Sequence, residues 1–318
     1  MSRGGASPEP RLEHHGSALG RYFRSTRPAF LTVTLVGCLI GLASAHHDGV
    51  TLDAATAIAT LLLAALAHAG ANVINDYHDA RSGADAANTR RLFPFTGGSR
   101  FIQNGVLSVR QTGAFGYTLL ALVMLAGMWL SWRSGPGLLA IGAAGLAVGW
   151  AYSAPPLALM SRGVGEFAIA AAWLLVVVGS DYVQRGSLAP LPAAAGLSYA
   201  LLVANLLFIN AFPDHDGDAA AGKRTLVVRL GPQVAKWGYL LIAILAYGWL
   251  VSMVANRTLP QKTAAAAMTM VLSFSAAREL LHFASQPEEL APAIRRTILA
   301  ANLHGLVLAA TLAWGGRP

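Results

Sequence analysis

Charge is what this chain has least of. Only 12% of its 318 residues are Asp, Glu, Lys or Arg, while 55% are hydrophobic. A soluble domain carries about a quarter charged residues, so an ordinary water-soluble globule is excluded. Cysteine is nearly absent too: the single Cys38 rules out an intramolecular disulfide framework. Its 23 Lys and Arg against 15 Asp and Glu give a net charge of +8. The basic residues form no cluster of the kind that nucleic-acid binding requires, so no nucleic-acid partner is expected. No second soluble domain is expected, nor a low-complexity tail beyond the polar first ~25 residues. The organisation read is a polar N-terminal segment, 1–25, followed by one transmembrane domain, 26–318.

What is present is long apolar runs. Segments able to cross about 30 Å of hydrocarbon at 1.5 Å per residue fall near 28–46, 52–74, 112–132, 136–153, 165–183, 190–211, 234–255, 262–283 and 296–314. The expectation is therefore an all-α, multi-pass integral membrane protein with nine transmembrane helices. The first run, "FLTVTLVGCLIGLASA" after Arg24 and Arg27, has the look of a secretory signal. About 20 polar residues precede it and further spans follow at once, so it reads as a retained first helix. Of the 23 basic residues, only Arg133, Arg185, Arg257, Lys262 and Arg317 fall on the side opposite the N-terminus. The other eighteen mark the cytoplasmic side. The two longest loops on that side follow the second and sixth spans, and both are rich in aspartate.

The first of these reads "NVINDYHDARSGAD" (72–85) and the second "INAFPDHDGDAAAGKRTLVVRLG" (209–231). At helical spacing Asn72, Asp76 and Asp79 share one face, as do Asn210, Asp214 and Asp218. Like charges so placed repel by about 0.2–0.5 kcal/mol per pair in water, and by more at low dielectric. A cation relieves this, and hard carboxylate and amide oxygens suit Mg²⁺, whose remaining ligands are commonly water and phosphate oxygens. Two such clusters, with Lys223, Arg224 and Arg100 beside them, point to two Mg²⁺ ions gripping one diphosphate. In "FTGGSR" (95–100), Gly97 and Gly98 offer backbone N–H groups that can approach phosphate. The bland alternative for either cluster alone is a solvated helix end. Two Asn-plus-Asp sets on one side of the membrane argue against that reading.

These motifs, with "FTGGSRFIQNGVLS" (95–108), "AYSAPPL" (151–157) and "RGVGE" (162–166), resemble the UbiA superfamily of intramembrane aromatic prenyltransferases. The resemblance runs from "RP" at 27–28 to the last span. It is nearest to the branch acting on 1,4-dihydroxy-2-naphthoate in menaquinone synthesis. It implies nine helices around a central cavity capped by cytoplasmic loops, in a bacterial inner membrane with the acidic motifs facing the cytoplasm. It also implies two Mg²⁺ ions, one held by Asn72, Asp76 and Asp79 and the other by Asn210, Asp214 and Asp218. Asp85 and Asp216 are possible participants. Lys223, Arg224 and Arg100 would neutralise the diphosphate, and Tyr152 would face the developing allylic cation. The chain departs from the branch at Ala211, where an acidic residue or second amide is common, and at Ala158, where a basic residue is.

The implied reaction joins a polyprenyl diphosphate to an aromatic acceptor within membrane lipid. Asp79 is a candidate for the proton acceptor. His68, His78 and His215 read as packing, supporting or solvent-facing groups, and His304 and Asn302 as interhelical hydrogen-bonders. Two alternatives remain at this stage. One is prenylation of another phenol, such as 4-hydroxybenzoate or homogentisate. The other is a transporter whose aspartates bind a translocated cation.

Overall fold

The computed structural model of the protein describes residues 9–14 and 17–314. Arg3 and Arg317 of the charge count therefore lie outside it, as do the first eight residues of the polar segment. In chain order the helices are α1 Ala18–Ser25, α2 Thr32–His47, α3 Ala54–Ser82, α4 Ala84–Ala87, α5 Val109–Ser134 and α6 Gly137–Ser153. They continue with α7 Gly165–Arg185, α8 Pro190–Ala220, α9 Leu226–Leu230, α10 Pro232–Ala255, α11 Met270–Phe283 and α12 Ala291–Ala313. Tighter 3₁₀ turns, Pro28–Leu31 and Gln261–Thr269, lead into α2 and α11. Among the described residues there is no strand.

Among the described residues eight helices, counting those two lead-in turns with α2 and α11, are long and apolar enough to cross a membrane. The ninth segment expected from the sequence is α6, which is apolar but only 17 residues long. It spans about 26 Å at 1.5 Å per residue, short of the ~30 Å core. It starts on Gly135 and Pro136 and stops where "SAPP" removes successive backbone donors.

Local chemistry sets the ends. The Asp53 carboxylate accepts the Thr56 N–H at 2.8 Å to start α3, and Gly83 closes that helix at φ +81°, a conformation that glycine adopts freely. Ser108 and Gln111 form a reciprocal capping box at the start of α5. α3 and α8 are the longest helices, with 29 and 31 residues, or about 44 and 46 Å. Both exceed the hydrocarbon thickness, and the aspartates lie in the last turns of each. α8 is the central post: 78% of its apolar window is buried, against 28% for α3, α5 and α10.

The two ends of the bundle are tied differently. At one end Arg90, in the loop after α4, bonds Asp216 of α8 at 3.4 Å and Glu288 before α12 at 2.9 Å. At the other, Arg185 forks onto Asp181 at 2.7 and 2.8 Å and reaches Asp48 at 2.9 Å. One wall is tightly closed: a Cβ on Gly41 of α2 would lie 2.2 Å from the Val177 carbonyl of α7. On Gly305 of α12 it would lie 2.3 Å from Val36 and 2.6 Å from Tyr199. His304 lies fully buried in that wall, 3.0 Å from Ser198 of α8 and 3.2 Å from the Ala266 carbonyl. This is the interhelical role expected of it. Asn302 instead donates to Ile298 of its own helix at 2.9 Å, because a carbonyl one turn back is its nearest acceptor.

Candidate active site

A cavity of about 650 Å³ runs inside the bundle, walled by α3, α5, α6, α7 and α8. Along α3 its lining reaches from Thr60 to Asp79, about 28 Å of helix. Its two ends differ in chemistry. At the end where α3 and α8 finish it is lined by Asn72, Asn75, Asp79, Asp85, Asn88, Asn210, Asp214, Asp218 and Lys223. Deeper in, the lining is Leu63, Leu120, Val123, Met124, Met128, Leu138 and Ile141 with Gly142 and Gly145. A Cβ on either of those glycines would meet no atom within 4 Å, so they add open width. Met124 and Met128, 54% and 56% exposed, line the cavity there.

At the polar end the two motifs meet. The buried Lys223 ammonium lies 2.6 Å from Asp79 and 3.4 Å from Asp218, one acid from each motif. Burial alone would depress that ammonium, but the two carboxylates outweigh it and hold it above its ordinary range. A loop strung between the motifs supplies donors to both. The Ser99 N–H faces both Asp76 oxygens at 3.2 and 3.3 Å, while Thr96 and the Gly97 N–H bond Asp214. Gly97 and Gly98 have φ of +76° and +74°, and a Cβ on Gly98 would sit 2.5 Å from Asp85 and 3.1 Å from Asp76. Only glycine allows this approach. Burial, then the Asp79 and Asp76 charges, push the Asp85 carboxyl up to about 8. The site carries more negative charge than its built-in cation balances.

The residues singled out from the sequence take different places. Asn72, Asp79, Asn210, Asp214, Asp218, Lys223 and Tyr152 all line the cavity. The Asn72 amide donates to the Thr26 carbonyl at 3.0 Å, and the Asn210 Oδ1 is buried without a partner. Asp76 is buried but turned toward the Ser99 loop rather than the cavity. Arg100 is buried behind that loop, donating to the Asp85 carbonyl at 2.5 Å and lying 3.7 Å from Glu9. Arg224 has an exposed side chain. His215 pairs with Asp216 at 2.8 Å, and His68 bonds Thr34 at 2.8 Å while lining the cavity.

Sequence reading passed over Asn75 and Asn88. Asn75 stands at i+3 from Asn72 and i−4 from Asp79, so it faces the cavity. It donates to Asp79 at 3.2 Å and to Ser153 at 3.0 Å. That spacing was the available signal, obscured by the adjacent Asp76. Asn88, in the loop, donates to Asp214, a contact no local pattern announces. Glu166, at the first turn of α7, also lines the cavity with Oε2 buried and unpartnered.

A polar end with converging acids on an apolar chamber suits an amphiphile with an anionic head. Matching against protein families agrees: residues 34–299 match the UbiA prenyltransferase family. The chain belongs to that family. It is thus a prenyltransferase embedded in a membrane by multiple helices. It is 29% identical to the 1,4-dihydroxy-2-naphthoate octaprenyltransferase of Mycobacterium tuberculosis, over 94% of this chain and 99% of that one. It is 28% identical to the enzyme of the same name from Escherichia coli, over 66% and 68%. Among solved structures, a UbiA homologue from Archaeoglobus fulgidus bound to GPP and Mg²⁺ shares the fold, with a TM-score of 0.59, 16% identity, and 91% and 99% coverage of this chain and that one. The apo UbiA homologue from Aeropyrum pernix gives 0.65 at 18% identity, with 89% and 98% coverage.

Proposed function

We propose that this prenyltransferase moves the chain of an allylic polyprenyl diphosphate onto 1,4-dihydroxy-2-naphthoate, a step of menaquinone synthesis, in a bacterial inner membrane. Residues 26–318 would form a single nine-span domain, its acidic loops facing the cytoplasm. The observation that carries this is the meeting of both acidic motifs around one buried ammonium at the mouth of an apolar chamber. The named relatives favour dihydroxynaphthoate over other phenols, and Ala211 and Ala158 are the positions that leave 4-hydroxybenzoate or homogentisate to be tested. Acids gathered at one end of the bundle disfavour alternating-access transport, which uses sites near the midplane.

The site fits divalent metal. Among the described residues no three acidic, histidine or cysteine side chains already converge on one point. Yet buried carboxylates exceed nearby cations, and the Asn210 Oδ1 has no donor, so oxygens are waiting for positive charge. Asn72, Asp76 and Asp79 would hold one Mg²⁺, and Asn210, Asp214 and Asp218 a second. Bound there, the ions supply charge neutralisation on the diphosphate.

The chain's own groups do the rest. As the allylic C–O bond breaks, its electron pair leaves with the diphosphate, toward which Lys223 can swing from Asp79 and Asp218. Arg100 would add charge from behind the loop, and Arg224 from the exposed segment after α8. The Tyr152 ring faces the allylic carbon and tempers its positive charge. The apolar chamber keeps water from the cation. Asp79 accepts the phenolic proton as the carboxylate-bearing ring carbon closes the new C–C bond; the carboxylate then departs as CO₂, its electron pair restores the aromatic ring, and the proton returns to the ring oxygen.

The test is a panel of acceptors and prenyl diphosphates with purified protein, products read by mass. Dihydroxynaphthoate should outrun other phenols, and Asp76→Ala or Asp214→Ala should abolish turnover in protein that still folds and inserts. Full activity of either variant would refute the site. Prenyl-independent ion flux in liposomes would favour a transporter.

A further inference from the structure

Asn88 holds its place more firmly than a loop residue needs to. It is only 4% exposed. Its N–H bonds the Ala84 carbonyl at 3.1 Å, and its carbonyl accepts from Arg91 at 2.8 Å. α8 packs directly on it: a Cβ at Gly217 would lie 2.7 Å from the Asn88 Cβ. The side chain, pinned this way, donates Nδ2–H to the Asp214 carboxylate and lines the cavity. Reversing the amide would set oxygen against carboxylate oxygen, so Asp214 decides which way it points. Oδ1 must then face away from Asp214, and there it is buried with no hydrogen-bond partner.

A buried amide oxygen without a donor costs about 1–3 kcal/mol, and such groups call for a missing occupant. Chemistry narrows the occupant. A diphosphate offers only acceptors, and so does the Asp214 carboxylate that receives the Asn88 Nδ2–H. The cluster's ammonium, Lys223, is already engaged by Asp79 and Asp218. A hard divalent cation, which takes amide and carboxylate oxygens together, satisfies Oδ1 and relieves the surrounding charge at once. We infer that Asn88 Oδ1 is a ligand of the cation held by Asp214, so that the loop after α4 completes the second metal position. This rests on the metal–diphosphate reading above. One residue thereby both orients a ligating carboxylate and contributes an oxygen of its own.

The experiment titrates Mn²⁺ alone into the full chain in detergent, following free Mn²⁺ by electron paramagnetic resonance, with no turnover involved. Asn88→Ala should weaken binding about tenfold or more, the range for losing a ligand or its support. Asn88→Asp keeps an oxygen but loses the donor to Asp214, and should bind Mn²⁺ at least as tightly as the parent. Weakening in both variants alike would reduce Asn88 to a brace for Asp214 and overturn the inference. So would unchanged affinity in Asn88→Ala. If Asn88→Ala does not fold, the Asp variant decides: affinity kept supports the inference, affinity lost overturns it. Absence of Mn²⁺ binding by the parent protein would instead sink the metal reading itself.

Discussion

Replacing Lys223 by methionine removes the one ammonium that joins the two motifs. At an effective dielectric of about 20, unit charges at its separations of 2.6 and 3.4 Å attract by roughly 6 and 5 kcal/mol. Desolvating the ions consumes several kcal/mol each, and breaking such a buried pair typically costs about 3–5 kcal/mol. The ammonium itself stays charged near neutrality. The folded-state pKa is raised, so the contribution is complete below the unfolded value of about 10.4 and fades only as pH climbs through the folded one. At pH 7 in chelator, Lys223→Met should therefore unfold at clearly lower temperature than the parent. Added Mn²⁺ should close most of that gap, because a divalent ion can take the ammonium's place between Asp79 and Asp218. Turnover should fall by about 10²–10³ from the lost stabilisation of the leaving group. Thermal unfolding with and without Mn²⁺, beside a prenyl transfer assay, reads all three. Equal melting of variant and parent in chelator would refute the buried-charge reasoning.

Other outcomes follow from the same geometry. Asn75→Ala should cut kcat by about 10–100-fold by releasing Asp79, measured by steady-state kinetics. Gly145→Leu should raise KM for long prenyl diphosphates while sparing dimethylallyl diphosphate, since its Cβ enters open chamber and only the longer side chain blocks it; a donor-length series checks this. Gly98→Ala should lose activity and about 1–3 kcal/mol of stability, being forced to φ +74° and against Asp85; chemical denaturation measures it. Glu9 is half-buried against Asn104 and Arg91, whose hydrogen bonds outweigh the burial and hold its carboxyl below the ordinary range. Its hold on the loop is present above about pH 4.3 and fades as pH falls through the folded value. Limited proteolysis of the N-terminal segment should accelerate below that point, and in Glu9→Gln already at pH 7.

The helices were legible because their signal is one-dimensional: apolar length placed every long span, and the two Asn–Asp spacings named most of the polar lining. It missed the last turns of α3 and α8, which run to Ser82 and Ala220 rather than ending near 74 and 211, because those turns are polar. α6 shows the limit of that signal, since its apolar run is interrupted by "SAPP" before reaching full length. Contacts closed through loops were not legible. Nothing in the spacing of Asn88 or Glu9 says that they meet Asp214 or Arg91, because those contacts join residues 126 and 82 positions apart. Arg100 shows the converse: its place in "TGGSR" suggested a direct phosphate contact, whereas a left-handed backbone at φ +66° turns it behind the loop.

The uneven wall has a bearing on fit. Where α2, α7 and α12 leave no room even for a methyl group, the barrel is in effect a solid partition. The hollow beyond it is edged by Met124 and Met128, unbranched thioethers that adapt their shape, and by two glycines that leave width. An isoprenoid tail can thus be taken up along its length by surfaces that yield, while its charged head stays at the polar rim.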